Sequence, residues 1–166
     1  MRVRPQGRAD VVSIAKQVQA SLEEQAVSDG NKINIHSSQS IPIIPGNPDE
    51  LTQVLQNLIE NALKYSAPNT AVDVTISAKN NVAGFPGEVI SMEIRDYGEG
   101  IASEHIGRLT ERFYRVDAHR SRDMGGTGLG LAIVKHIVNH HRGRLHIESE
   151  IGVGSIFTIF LPTAIT

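Results

Sequence analysis

The chain contains no cysteine, which rules out disulfides, thiolate metal sites and cysteine nucleophiles and is compatible with a reducing compartment. It has no apolar run near the roughly 18–20 residues that a membrane-spanning helix needs, and its start carries no signal-type apolar stretch. Neither sign of charge dominates: 16 Lys and Arg stand against 18 Asp and Glu, a formal net charge of −2. That balance supplies no bulk attraction to nucleic acid or to an anionic lipid surface, so neither partner is expected. Internal repeats and low-complexity tracts are absent too. What is there is 166 residues, 40% of them hydrophobic, which suits one domain around one core and hence one principal site. Residues 1–8 read as a linker or leading remnant, and 9–163 as the domain.

Val11, Ile14, Ala15, Val18 and Leu22 recur at helical spacing from Asp10 to about Gln25, and Ser28-Asp29-Gly30-Asn31 supplies a stop. Ile33 and Ile35 alternate with polar neighbours as a short strand, and Pro42 and Pro45 mark a loop. Asn47-Pro48-Asp49-Glu50 predicts the start of a second helix running to about Tyr65. Asn47 is the N-cap, Pro48 takes the first helical position and Glu50 reaches back to the cap. Residues 72–78 and 89–95 alternate as the two strands of a hairpin around a turn-rich 80–87. After an irregular stretch over 96–130, Leu131, Ile133, Val134, Ile137 and Val138 predict a third helix, which Gly143 ends. Strands over 144–149 and 155–161 complete the chain. Interleaved strands and helices of this kind predict a two-layer α/β sandwich with a mixed sheet.

Three segments carry chemistry. On the second helix, at about 100° per residue, Leu51, Val54, Leu55, Leu58, Ile59 and Ala62 share one arc, and Asn57, Asn61 and Lys64 share another. Each of those three polar residues taken singly is read more simply as solvated surface; their coincidence with two glycine-bearing segments later in the chain makes the case. Asp96-Tyr97-Gly98-Glu99-Gly100 comes directly after a strand, putting a carboxylate at a strand end beside glycines that allow a flat ligand to approach the backbone. A turn that uses Asp and Gly for backbone preference is the plainer reading of that segment alone. Gly125-Gly126-Thr127-Gly128-Leu129-Gly130-Leu131 puts four glycines before a helix start, where exposed N–H groups and the helix dipole favour phosphate. A bare hinge would spend backbone entropy on those glycines for nothing. The run lacks the Gly-Lys-Ser/Thr ending of a P-loop, and its spacing does not fit a dinucleotide fingerprint.

Taken together, these segments resemble the boxes of histidine kinases. The stretch from Asn57 to Ser66 is similar to the asparagine box, Asp96 to Gly100 to the first glycine box, Glu111-Arg112-Phe113-Tyr114-Arg115 to the phenylalanine box, and residues 126–131 to the second glycine box, all in the family's order. The resemblance implies the Bergerat fold: a mixed, mostly antiparallel sheet packed on three main helices, with a mobile ATP lid over 116–125. It implies ATP and Mg²⁺ as the ligands, Asp96 accepting the adenine amino group, and Asn61 holding the metal. Asn57, Lys64 and Tyr65 would line the phosphate side and Arg115 would meet the terminal phosphate, making Asn57, Lys64 and Arg115 the catalytic set. Gly98, Gly100, Ile101, Tyr114, Gly125, Gly126, Thr127, Gly128, Leu129, Gly130 and Leu131 would complete the nucleotide site. Thr110 departs from the pattern, because the family commonly has an aromatic there; that position is given no part in docking the lid. Residues 108–115 with Ser121-Arg122 look most like phosphate-regulon sensor kinases. The function implied is donation of the γ-phosphoryl group to a histidine on a separate dimerisation domain, with a response regulator downstream, in the cytoplasmic part of a bacterial inner-membrane sensor.

None of the histidines has the context of a phospho-accepting one. His136, His140 and His141 fall late on the third helix, where surface placement or compensation of the helix dipole accounts for them. His136 and His140 also stand at i, i+4 spacing, and a metal there would need a third ligand that the sequence does not display. Two rival readings remain. ATP-hydrolysing relatives of the gyrase or Hsp90 type carry a glutamate base one turn before the magnesium asparagine, where this chain has Asn57; Glu60 lies about 60° off that arc. A nucleotide-binding scaffold without catalysis would show degraded boxes, and Asn61, Asp96 and the glycines are all present.

Overall fold

Two long helices form where the apolar spacing predicts them. In the computed structural model, which describes residues 7–38, 40–111 and 130–164, α1 (Val11–Ser28) starts at Asp10, whose Oδ1 accepts the Ser13 N–H at 3.1 Å. It buries the predicted stripe Val11, Ile14, Ala15, Val18 and Leu22. Its end is a turn in which Gly30 takes φ +75°, and the Asn31 side chain accepts the Thr70 N–H at 3.2 Å. After β2 (Lys32–Ser37) and the loop beyond it, α2 (Pro48–Tyr65) buries Leu51, Val54, Leu55, Leu58, Ile59, Ala62 and Leu63. Each large aliphatic side chain sealed from water in this way contributes roughly 1.5–3 kcal/mol.

The predicted hairpin is β4 (Ala71–Lys79) and β5 (Val89–Asp96), antiparallel from Asp73↔Arg95 to Lys79↔Val89. A short α3 (Ser103–Ile106) interrupts the irregular stretch, α4 (Gly130–His140) is the third main helix, and β6 (Arg144–Glu150) and β7 (Gly154–Pro162) close the chain. The five-stranded sheet runs β2-β4-β5-β7-β6; β2 lies parallel to β4 and every other pair is antiparallel. Strand β4 alternates, with Val72, Val74 and Ile76 sealed under the helices and Asp73, Thr75 and Ser77 on the opposite face. Central β5 is buried almost throughout, as an interior strand must be. The result is the expected two-layer sandwich of a mixed, mostly antiparallel sheet against three main helices. No helix among the described residues is long and apolar enough to cross a membrane.

Three details differ from the expectations. Arg8, assigned to the leading segment, pairs with Pro45, and Ala9 with Ile44, in a two-residue ladder of β1 (Arg8–Ala9) and β3 (Ile44–Pro45). Glu50 does not reach back to the cap of α2. Asn47 Oδ1 does accept the N–H groups of Asp49 and Glu50 at 3.0 and 3.2 Å, but the Asn47 N–H donates to His141 Nε2 at 3.1 Å. His141 is therefore not a surface residue: it is only 6% exposed, wedged under the start of α2. Burial holds its imidazole below the usual range, as the neighbouring His140 also does, against the raising influence of the Ile137 carbonyl and Glu50.

Candidate functional site

Helix α2 presents its second face as expected. Asn57, Asn61 and Lys64 are half-buried at spacings of four and three residues, and their side chains make no hydrogen bond among the described residues. None of their polar side-chain atoms is among those sealed from solvent without a partner, so the face stays open to water or to polar groups brought from elsewhere. Glu60, by contrast, is taken up by its own helix, its Oε1 accepting from Gln56 Nε2 at 2.8 Å. The start of α4 comes alongside: a β-carbon on Gly130 would stand 3.9 Å from Asn57 Cγ. Leu131, next along, is partly buried and packs on the core.

Asp96 ends β5, and the residue is only 5% exposed. Burial raises its pKa above the ordinary aspartate value, and hydrogen bonds from the backbone N–H groups of Gly98 and Ser155 pull it partly back. The Gly98 N–H reaches Oδ1 at 3.0 Å. A carboxylate held in this way is aimed and partly desolvated, the condition under which one charged hydrogen bond discriminates strongly.

The loop after Asp96 is lashed down on both sides. Ser66, just past α2, forms a β-bridge with Gly98, so the end of the asparagine-rich face and the aspartate loop are joined directly. Tyr65, half-buried at the end of α2, lays its carbonyl against Gly98, where a β-carbon would stand 1.9 Å from the Tyr65 oxygen. Gly100, at φ +80°, would similarly put one 2.2 Å from the Glu150 carbonyl oxygen. Read from sequence, these glycines leave room for a ligand; on their β-carbon side, what comes close is the chain's own backbone. Half-buried Ile101 donates its N–H to Ser149 Oγ at 2.7 Å, and Ser149 Oγ in turn donates to the Gly154 carbonyl at 3.0 Å. Ser149, Gly154 and Ser155 thus support the loop from the β6–β7 turn, a role the sequence did not signal, since they lie more than 50 residues from Asp96 and belong to no spacing pattern. Tyr114, Arg115, Gly125, Gly126, Thr127, Gly128 and Leu129, with the lid expected over 116–125, lie outside the described residues.

Two boxes far apart in sequence therefore meet at one end of the sheet, with the helix start of a third beside them. Residues 46–165 match the family of histidine kinase-, DNA gyrase B- and HSP90-like ATPases. The chain belongs to that family. Among its relatives this ATPase domain is 44% identical over 117 residues to the sensor histidine kinase RppB of Synechocystis sp., covering 70% of the chain and 24% of the relative. It is 38% identical over 144 residues to the phosphate regulon sensor protein PhoR of Pseudomonas aeruginosa, covering 86% of the chain and 31% of the relative. The domain thus spans about a third or less of these sensor kinases. Among solved structures, full-length ShkA in complex with AMPPNP superposes with a TM-score of 0.78 at 25% identity, over 100% of this chain and 33% of that one. The domain is of the histidine kinase type found in two-component sensors, and its fold is that of their catalytic domains.

Proposed function

We propose that this domain binds Mg-ATP and serves as the phosphoryl donor to a histidine on a dimerisation domain, acting as the catalytic part of a protein-histidine kinase. The observation that carries the reading is Asp96, a buried carboxylate pinned by the Gly98 N–H at a loop bridged to the end of α2. Beside that loop, α2 offers two amides and an amine with no partner among the described residues. Asp96 receives the adenine amino group. Asn57, Lys64 and Tyr65 face the phosphates, with Gly98, Gly100, Ile101, Gly130 and Leu131 around them, and Arg115, Tyr114 and residues 125–129 completing the site. Asn61 fits magnesium, because an amide oxygen is a hard donor and this one is engaged by nothing else described. When bound, the ion supplies neutralisation of phosphate charge. The nucleotide complex of the similar ShkA structure supports the ATP assignment.

Hydrolysis of the gyrase type is disfavoured on this chain, since Asn57 cannot act as a carboxylate base and Glu60 is bound to Gln56. Transfer in line to a histidine nitrogen needs no such base, only positioning and charge. The acceptor is its own dimerisation domain, and a response regulator then takes the phosphoryl group, in the cytoplasmic part of a bacterial membrane sensor.

The test is to titrate the chain with Mg-ATP by calorimetry and then mix it with a separately made dimerisation domain and radiolabelled ATP. Label is expected on the acceptor domain and none stably on this chain; nucleotide uptake without any transfer would favour a scaffold instead. In the same assay Asn61→Ala is expected to make ATP binding insensitive to magnesium, and an unchanged magnesium dependence would remove Asn61 from the metal.

A further inference from the structure

Away from this site, at the opposite end of α2, three groups with metal-binding atoms converge. Glu50 in the first turn of α2 meets His140 and His141 at the end of α4, and one ligand atom from each lies within 4.8 Å of the others. His140 Nδ1 stands 3.5 Å from Glu50 Oε1. That oxygen is sealed from solvent and has no hydrogen-bond partner, so its charge is left to be met by His140, when that ring is protonated, or by a bound cation. His141 Nε2 accepts the Asn47 N–H at 3.1 Å, so its proton is on Nδ1, which lies 2.9 Å from the Ile137 carbonyl and donates to it. A backbone carbonyl holding Nδ1–H and leaving the Nε2 lone pair as the acceptor is the outer-shell arrangement that orients a ligating imidazole.

We propose that Glu50, His140 and His141 form a transition-metal site, zinc being the ion that suits it, which fastens the first turn of α2 to the end of α4. One carboxylate and two imidazoles are a regular zinc set with a fourth position left for water. Tetrahedral donors at ordinary zinc distances stand about 3.4 Å apart; Glu50 and His140 are already at 3.5 Å, and His141, within 4.8 Å of both, needs to close by at most about 1.4 Å. Zinc takes the Nε2 lone pair from the Asn47 N–H, so it competes with one backbone hydrogen bond. The spacing of His136 and His140 pointed to a different pair; the structure puts His136 on the exposed face of α4 and supplies Glu50 from another helix as the third ligand.

The experiment is equilibrium dialysis of the 166-residue chain against zinc, without nucleotide, with metal analysis and a thermal melt in parallel. One equivalent of zinc and a raised melting midpoint are expected. Glu50→Gln and His140→Ala should each lower zinc affinity at least tenfold, the low end of about 10–100-fold for losses around a metal site, and abolish the shift, while His136→Ala leaves both unchanged. These positions are preferred to buried His141, whose loss also removes packing; circular dichroism of each variant verifies that it folds. Failure of the wild-type chain to retain zinc would overturn the proposal, as would His136→Ala matching His140→Ala, or zinc binding indifferent to Glu50→Gln.

Discussion

Asp96→Asn is expected to weaken ATP binding by about 10- to 150-fold, the loss of one charged hydrogen bond worth roughly 1.5–3 kcal/mol, with little or no loss of stability in the unliganded protein. The two halves of that outcome have one cause. Burial makes the ionised carboxylate costly to the fold, raising its pKa above the ordinary value, while the same burial strengthens its bond to a ligand. A raised carboxyl pKa means that the folded state holds the proton more tightly than the unfolded chain does. The cost to stability is therefore fully present above the raised value and is relieved as pH falls from there toward the ordinary aspartate range. ATP affinity should run the opposite way, declining with acidification at a higher pH than a free aspartate would dictate. Calorimetric titrations at several pH values, with denaturant melts of both proteins, measure this directly. An Asp96→Asn protein with unchanged ATP affinity would remove Asp96 from adenine recognition.

The second large effect is steric. In Gly98→Ala the new methyl would stand 1.9 Å from the Tyr65 carbonyl oxygen and 2.9 Å from its carbon, and since both are backbone atoms, no side chain can swing aside. The Ser66↔Gly98 bridge must open, and with it goes the placement of the N–H that pins Asp96. A loss of about 3 kcal/mol is expected, at the upper end of ordinary overpacking, together with loss of nucleotide binding. Gly87→Ala is the control, because a β-carbon there meets nothing within 4 Å, and its effect should remain within about 0.5 kcal/mol. Equal denaturation midpoints for the two variants would show that the loop does not rest on Tyr65.

How much could be read in advance depended on how local the cause was. The arc of Leu51, Val54, Leu55, Leu58, Ile59 and Ala62 became the buried face of α2, and the Asn57, Asn61 and Lys64 arc its polar one, because a helix converts spacing into direction whatever packs against it. The hairpin of β4 and β5 was legible for the same reason at a period of two. The β1–β3 ladder was not, since two residues contain no period. Glu50 was misread because the capping pattern describes one helix end in isolation, while His141, more than 90 residues on, takes the N–H that Glu50 would have accepted.

The sequence by itself determined the main elements and the two faces of α2, since these arise from residue spacing along a single segment, and its four boxes carried the resemblance to the family. Only the tertiary structure decided how those segments serve one another. It set Gly98 and Gly100 against the carbonyls of Tyr65 and Glu150, buried Asp96 under a loop held by Ser149 and Ser155, and brought Glu50 to His140 and His141. Close approach, burial and ligand convergence are properties of distances across the fold, and residues dozens of positions apart carry no mark of them in the chain.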